Sequence, residues 1–221
     1  MFKKGKNNRR KLLSIVVVSL LVGGLLLSAT VGFFDFWGGG RNMASSPGDD
    51  EYILGLIQQA DFWEQALAEA PGDLEKETVL GGIYYELAMY YWSQGLQDKE
   101  NYALKSKKHL LQVCQGGSRE PAVTLKIALL AAFILNNESL AEEYFQNTLK
   151  LQADNPEAHF YYGVFLSSRD EVEVALKHWE KVLQLVEKDS PLAAEAQRYL
   201  LHYNEADSSG EKQENNSAAD R

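Results

Sequence analysis

The side chains best suited to chemistry in this sequence are four histidines and one cysteine. His109, His159, His178 and His202 each fall in a predicted helix, and none lies in an HExxH or similar ligand spacing. His159 and His178 occupy facing helices of one predicted hairpin, so a contact between them is possible. Two histidines without a supporting carboxylate or thiolate are weak evidence for a metal. We interpret all four as helix-surface or half-buried residues and expect no metal site.

Cys114 is the single cysteine, which excludes an intramolecular disulfide framework. No motif places a histidine base beside it, so we interpret it as a small packing residue. The sequence contains no GxSxG, no GxxxxGK[ST] and no GxGxxG after a strand. The acidic pairs Asp49-Asp50 and Glu142-Glu143 are typical of helix N-termini, where they interact favourably with the dipole. We therefore expect no catalytic residue, no cofactor and no enzymatic activity.

The composition describes an ordinary globular protein with an acidic balance. In 221 residues there are 22 Lys+Arg and 31 Asp+Glu, which give a formal net charge of −9. With 45% hydrophobic and 24% charged residues, wholesale disorder is excluded. The acidic balance argues against nucleic acid as a partner, because phosphate binding needs a clustered cationic face.

The charge is unevenly distributed along the chain. The basic N-terminus, residues 1–11, holds six cations: Lys3, Lys4, Lys6, Arg9, Arg10 and Lys11. Residues 12–34 are uncharged and as a helix would span roughly 35 Å, enough to cross a hydrocarbon core of about 30 Å. We predict a transmembrane helix there, with the N-terminus cytoplasmic and the rest extracytoplasmic. The alternative is a cleaved signal peptide, whose apolar region is usually only about 7–15 residues long.

After a predicted flexible linker at 35–50, residues 51–203 show helical periodicity and almost no strand alternation. Turn residues divide this region into eight predicted helices, with Asn155 before Pro156 and Ser190 before Pro191 as N-caps. A shift of 34 residues aligns Leu129 with Gly163, Ala141 with Ala175, and Phe145 with Trp179. The period indicates repeated helical hairpins that must stack to bury their apolar faces. The tail, 204–221, is predicted to be disordered and acidic.

The pattern of small and aromatic residues resembles the tetratricopeptide repeat (TPR) family. The positions that carry the resemblance are Trp63, Ala66, Pro71, Leu80, Gly81, Tyr84, Ala103, Leu129, Ala141, Phe145, Gly163, Ala175 and Trp179. They define a partial repeat at 51–72, repeats at 74–115, 122–155 and 156–188, and a capping helix at 191–203. Leu129 in place of glycine, Thr148 in place of alanine and an insertion in the first full repeat depart from the family pattern. The alternative is an irregular helical bundle.

The resemblance implies an all-α helical-hairpin array, an α-solenoid, with a peptide-binding groove along its first helices. The family's groove positions fall on Thr78, Tyr85, Glu86, Lys126, Phe133, Glu157 and Phe160. The Lys/Asn/Arg set with which some members clamp a carboxylate is not matched. Five aromatic residues between Tyr84 and Trp92 cover more than one helix face, so some of them are candidates for this groove. A mixed apolar and acidic groove would prefer a hydrophobic or basic segment.

Together these features predict a single-pass scaffold or adaptor that binds a partner protein or peptide at the extracytoplasmic face of the cell membrane. Three alternatives remain open. One is an assembly factor resembling the TPR proteins of cytochrome c biogenesis, as opposed to an envelope-assembly or divisome scaffold. A second is a self-associating structural membrane protein, that is, a homo-oligomer. A third is an enzyme whose groups are assembled across helices.

Overall fold

The computed structural model describes residues 47–203, and this part of the chain is helical without strands. Its helices are α1 (Pro47–Glu69), α2 (Leu74–Ser93), α3 (Lys99–Gln115), α4 (Pro121–Phe133), α5 (Glu138–Leu151), α6 (Pro156–Ser167), α7 (Val172–Leu185) and α8 (191–203). The prediction of an all-α array is confirmed for the described residues. Three hairpins form from α2 with α3, α4 with α5, and α6 with α7, each closed by a short connection.

The hairpins stack in chain order. α1 packs on α2, the second helix of each hairpin contacts the first helix of the next, and α2 and α6 both contact α4. We call α2, α4 and α6 the first-helix layer. α2 has 20 residues, against 13 in α4 and 12 in α6, so it is the longest helix in this layer.

Local sequence signals end several of these helices. Gly95 after α2, Asn136 after α4 and Asp170 after α6 adopt left-handed conformations with φ of 65°, 49° and 62°. Beyond Gly95, the amide of Leu96 donates to the carbonyl of Tyr91 at 2.8 Å, which satisfies a carbonyl at the end of α2. Glycine adopts this backbone conformation at little cost. The predicted turns at these positions are confirmed.

Side-chain caps begin two of the helices that start with proline. The Asn155 side chain accepts from the amide of Ala158 at 2.8 Å, and the Ser190 hydroxyl accepts from the amide of Ala193 at 3.2 Å. Proline follows each cap, at a position whose N–H has no partner within the helix. The missing N–H of proline therefore costs no hydrogen bond. Both predicted N-caps are confirmed.

The family-signature residues lie mainly at helix crossings. Those with at most 4% of their surface exposed are Leu80, Tyr84, Ala103, Leu129, Ala141, Phe145, Ala175 and Trp179. Gly81 and Gly163 are also buried, whereas Trp63 and Ala66 are half-buried and Pro71 is exposed. A β-carbon at position 81 would lie 2.4 Å from Cδ2 and 2.8 Å from Cγ of Leu110 on α3, so a larger residue there would require the Leu110 side chain or the helices to shift.

Thr148, a departure from the family pattern, is accommodated by a hydrogen bond between α5 and α4. Its buried hydroxyl lies 2.9 Å from the hydroxyl of Thr124 and 2.8 Å from the carbonyl of Tyr144. A buried hydroxyl without a partner would cost free energy, and these bonds remove that cost. A polar residue therefore occupies a position where the family pattern has alanine.

The last helix, α8, covers the end of the stack. Leu192, Ala193 and Ala196 are buried against the preceding hairpin. The ring of Tyr199 stacks on Trp179 with centroids 4.8 Å apart. This arrangement shields the fully buried indole of α7 from solvent.

Two predictions need correction. The predicted location, a single-pass protein of the cell membrane with an extracytoplasmic repeat domain, is contradicted and is withdrawn. Among residues 47–203 no helix is long and apolar enough to cross a membrane. The segment 12–34, to which the sequence analysis assigned that helix, lies outside the described residues, as do residues 1–11 and the tail 204–221.

The predicted linker 35–50 was too long at its C-terminal end, because α1 begins at Pro47. The ring of proline fixes φ at a value that suits the first position of a helix. The N–H that proline lacks would have had no partner at that position. The proline therefore starts a helix that the low apolar content of this stretch had concealed.

Candidate peptide-binding face

The aromatic residues of α2 divide between two faces of the helix. Tyr84 and Tyr91 point toward α3, where each contacts the ring of Tyr102 at centroid distances of 6.2 Å and 4.8 Å. The hydroxyl of Tyr84 donates to the carboxylate of Glu64 on α1, and Nζ of Lys105 lies 3.2 Å from the same hydroxyl. These tyrosines join α1, α2 and α3 and are part of the hairpin packing.

Tyr85 and Trp92, two turns apart on α2, lie on the side that faces α4. Nζ of Lys126 is 5.3 Å from the ring centroid of Tyr85. The ring of Trp92 is 6.3 Å from that of Phe133, which in turn is 6.3 Å from that of Tyr161 on α6. We call Trp92, Phe133 and Tyr161 the aromatic row; it crosses all three members of the first-helix layer.

Three charged residues of the same layer are half-buried: Glu86, Lys126 and Glu157. Burial lowers the pKa of Lys126, and the charge of Glu86 opposes that shift. Burial raises the pKa of Glu86, and the charge of Lys126 opposes that shift in the same way. The two groups thus stabilise each other's charged form. The pKa of Glu157 is raised by burial, with no cation opposing it.

The charged groups of this layer also influence the pKa values of its tyrosines. Burial, followed by the charges of Glu86 and Glu157, raises the pKa of Tyr85. Burial, followed by the effects of Tyr85 and Glu157, raises the pKa of Tyr161. Glu157 therefore influences tyrosines of two different helices, Tyr85 on α2 and Tyr161 on α6.

The end of this surface is provided by α8. Glu195 adds to the raised pKa of Tyr161, and Tyr199 contacts the neighbouring ring of Phe160 at 5.7 Å. Arg198 pairs with Glu195 at 2.7 Å and lies 4.9 Å from the ring centroid of Tyr199. The positive charge of Arg198 is therefore already matched within α8.

The seven groove positions implied by the family resemblance do not all lie on this surface. Tyr85, Glu86, Lys126 and Glu157 converge, and Phe133 joins them through the aromatic row. Thr78 is half-buried on α2, two turns before Tyr85, with its hydroxyl bonded to the carbonyl of Leu74 at 2.7 Å.

Phe160 is corrected, because its side chain is fully buried and contacts Tyr199. The adjacent Tyr161 contacts Phe133 on α4 and is also buried, with 3% of its surface exposed. Sequence reasoning missed the contact between Tyr161 and Phe133 because a helix turns about 100° per residue, and two neighbouring aromatics give no signal of which one faces α4. The available sequence signal was the four-residue spacing between Glu157 and Tyr161, which places both on the same face of the helix.

The histidines make specific contacts within the repeats. Nδ1 of His109 lies 2.6 Å from Oε2 of Glu77, and both side chains are buried. His109 is thus more buried than the surface or half-buried position predicted for it. Nδ1 of His159 lies 2.8 Å from Nδ1 of His178, so the contact predicted as possible between them is present.

The pKa of both histidines of this pair is lowered by burial, in His178 to about 4 with a further contribution from the charge of His159. Within residues 47–203, no three His, Cys, Asp or Glu side chains are grouped so that they could hold a metal. Burial also raises the pKa of the Cys114 thiol, which favours the unreactive form.

The stacked hairpins, with glycine at two of their helix crossings, define the class of protein: the described part of the chain has a TPR-like α-solenoid fold. No protein-family model matches the sequence, and no curated protein matches it.

Solved structures show the same fold in particular proteins. The thermophilic TPR protein TTC0263 of Thermus thermophilus has a TM-score of 0.56 and 20% identity, covering 80% of this chain and 95% of its own. A crystal structure of MamA has a TM-score of 0.52 and 15% identity, covering 77% of this chain and 99% of its own. A second MamA crystal structure has a TM-score of 0.53 and 15% identity, covering 69% of this chain and 83% of its own. At these identities the likeness concerns the fold.

Proposed function

We propose that this protein binds an extended segment of a partner protein on its first-helix layer and acts by binding, without a reaction of its own. The aromatic row is the observation that carries the proposal. Trp92, Phe133 and Tyr161 follow one another across three helices, and Tyr161 is the buried end of the row, with 3% of its surface exposed. The half-buried rings of Trp92 and Phe133 offer contact area at a low cost in side-chain entropy. The TPR-like fold supports the proposal because it presents several first helices side by side.

The spacing of the row fits a peptide in extended conformation. Successive rings are 6.3 Å apart, and an extended chain places alternate side chains roughly 6.6 Å apart on one face. Two alternate apolar side chains of a peptide can therefore meet the rings of Trp92 and Phe133. The half-buried charges beside the row would orient the peptide, since polar groups in such sites fix register more than they add affinity.

Site-specific photocrosslinking in the native cells tests this proposal. A benzophenone amino acid replaces Phe133 in one full-length variant, and Leu104 on α3 in a control variant. Leu104 is 50% exposed and lies outside the first-helix layer. We expect an adduct of defined mass at position 133 that is absent at position 104 and is weakened by Trp92→Ala in the same chain.

Two outcomes of the crosslinking experiment would contradict the proposal. Adducts that form equally at positions 104 and 133 would mean that the first-helix layer has no special role. An adduct consisting only of two copies of this chain would favour self-association. Mass spectrometry of the adduct distinguishes these outcomes and identifies the partner.

Self-association is the second candidate, because α1 exposes apolar side chains. Leu54 and Phe62, two turns apart on this helix, are 55% and 57% exposed. An apolar stripe of this kind can pack on a second copy. Light scattering across the micromolar range tests the candidate: a strictly monomeric chain removes it, and dissociation of an oligomer by Leu54→Ser with Phe62→Ser supports it.

A further inference from the structure

α1 corresponds to the second helix of a hairpin, but in the described part of the chain no first helix pairs with it. Trp63 precedes Gly81 by 18 residues, just as Phe145 on α5 precedes Gly163 by 18. α1 also packs on α2 as α5 packs on α6. The same alignment matches two further positions: Gln59 with Ala141, and Ala66 with Thr148.

The aligned positions differ in burial between the two helices. On α5 the three residues have 0% of their surface exposed, because α4 covers them. On α1 the equivalent three residues are all half-buried, since no described helix covers that side. We call this side of α1 the open slot, and its members are Gly55, Gln59, Phe62, Trp63 and Ala66.

The last hairpin shows what a first helix provides to an indole at this position. The N–H of Trp179 donates to the carbonyl of Phe160 on α6 at 3.2 Å, and Gly163, one turn later, leaves room for the ring. The Nε1 of Trp63 is shielded from solvent and has no hydrogen-bond acceptor among the described residues. A shielded N–H without an acceptor costs free energy, so a helix that supplied a carbonyl here would remove that cost.

The open slot has space for such a helix. A β-carbon on Gly55 would have no neighbour within 4 Å, and Ala66 is the small residue at the other end. Phe62 forms the outer edge, 57% exposed, with its ring packed edge-on against the indole of Trp63 at 5.4 Å. Because the ring of Phe62 is exposed, it can turn aside and let an incoming backbone reach the indole N–H.

The charge of α1 determines which kind of helix fits. α1 contains six acidic residues and neither Lys nor Arg. Glu51 and Glu69 are exposed and lie five turns apart, on the same side of the helix as Phe62. Neither makes an ion pair with a described residue, whereas Glu64 pairs with Lys105 at 3.5 Å. A helix with a basic flank is therefore favoured, while the α1 of a second copy would add acidic residues to acidic residues.

We propose that the open slot binds a basic helix of a partner protein. This helix places a Gly or Ala against the indole of Trp63, offers a backbone carbonyl to its N–H, and pairs Lys or Arg with Glu51 and Glu69. It takes the place that a first helix occupies in the other hairpins. The inference goes beyond the proposed function, because the slot lies on α1 and uses no member of the aromatic row.

Selection from a phage-displayed library of alanine-based helical peptides, against the immobilised full-length chain, tests the inference. The library randomises one face and one flank of the helix. We expect wild-type peptides to share Gly or Ala at one fixed position and Lys or Arg on the flank. Trp63→Ala should select a large apolar residue at the fixed position, because loss of the indole leaves space for it. Glu69→Lys should select Asp or Glu at one end of the flank.

The controls separate contact from general effects on α1. Asp61→Lys matches Glu69→Lys, since Asp61 is also an exposed acid of α1 but lies on the side toward α3, where its charge acts on Tyr102. Trp63→Phe removes the indole N–H and keeps an aromatic ring, so a synthetic copy of the best peptide should bind about twofold to tenfold more weakly. Circular dichroism verifies that each variant is folded, and Trp63→Phe and Glu69→Lys suffice if Trp63→Ala does not fold.

Several outcomes would overturn the slot. They are wild-type peptides that all bind Trp63→Ala equally well, peptides without a fixed small residue or a basic flank, and equal effects of Glu69→Lys and Asp61→Lys. Failure to select any helical peptide would overturn it too, and a benzophenone amino acid at position 59 then shows whether a second copy or the chain itself covers α1. The crosslinking test at Phe133 is independent of these results, so their failure leaves the proposed function standing.

Discussion

Gly163 on α6 lies directly against the indole of Trp179 on α7. A β-carbon at position 163 would lie 2.6 Å from Nε1 of Trp179, closer than non-bonded atoms approach. The indole cannot readily move away, because its N–H donates to the carbonyl of Phe160 at 3.2 Å and Tyr199 stacks on it. The close crossing of the last hairpin thus depends on glycine at this position.

Gly163→Ala should destabilise the protein by about 1–3 kcal/mol, the usual cost of forcing an extra carbon into a packed site. Urea unfolding followed by circular dichroism measures the change. Gly55→Ala on α1 is the control, since a β-carbon there has no neighbour within 4 Å. The control should be neutral or more stable by about 0.5–1 kcal/mol, because alanine favours the helix. Equal effects of the two substitutions would contradict the packing argument.

The buried pair of Glu77 and His109 should be sensitive to loss of either partner. Glu77→Ala removes the acceptor 2.6 Å from Nδ1 of His109 and leaves that nitrogen buried without its partner. We expect a loss of about 2–4 kcal/mol in the free energy of unfolding. Glu75→Ala, in the same first turn but exposed, should cost at most about 1 kcal/mol. A similar loss in both variants would show that the pair is not structurally important.

The hydroxyl pair of Thr148 and Thr124 should behave as a coupled unit. Thr148→Val keeps the shape but removes the bond of 2.9 Å between the hydroxyls, so we expect a loss of about 1–2 kcal/mol. Combining it with Thr124→Val should cost less than the sum of the single losses, by about 0.5–2 kcal/mol. Strict additivity in the unfolding free energies would show that the two hydroxyls do not depend on each other.

The histidine pair should make the protein less stable in acid. The folded-state pKa of His178 is lowered to about 4 by burial and by the charge of His159, so the unfolded chain binds the proton more readily. This contribution to stability is fully present above about pH 6.5, the ordinary pKa of histidine, and declines as the pH falls toward about 4. Because the pair keeps part of its hydration, we expect a loss of about 1–2 kcal/mol.

Comparison of wild type with His178→Gln isolates this effect from the carboxylates that titrate in the same range. The difference in unfolding free energy between the two proteins should change from about pH 7.5 to about pH 4.5 in the direction that penalises wild type. His202→Gln, at an exposed position, serves as the control and should follow wild type. Parallel pH profiles for wild type and His178→Gln would rule out the proposed linkage.

Helix boundaries could be predicted from the sequence because the signals that set them are local. Asn155 caps the helix that begins at the next residue, and Gly95 ends α2 through its own backbone conformation. The helical array could be predicted for the same reason, since the apolar period and the small residues at the crossings lie within single hairpins. Pro47 is the exception, where a helix start was hidden in a stretch without apolar periodicity.

By itself, then, the sequence determined that residues 51–203 would be helical and, through its 34-residue period, that their helices would stack as hairpins. Only the tertiary structure decided which side chains meet. Phe160 and Tyr161 are adjacent buried aromatics, yet Phe160 contacts Tyr199 on α8 and Tyr161 contacts Phe133 on α4. His109 contacts Glu77, which lies 32 residues earlier in the sequence. The reason is geometric: each residue rotates the helix by about 100°, and the packing of the neighbouring helices selects the face that is covered.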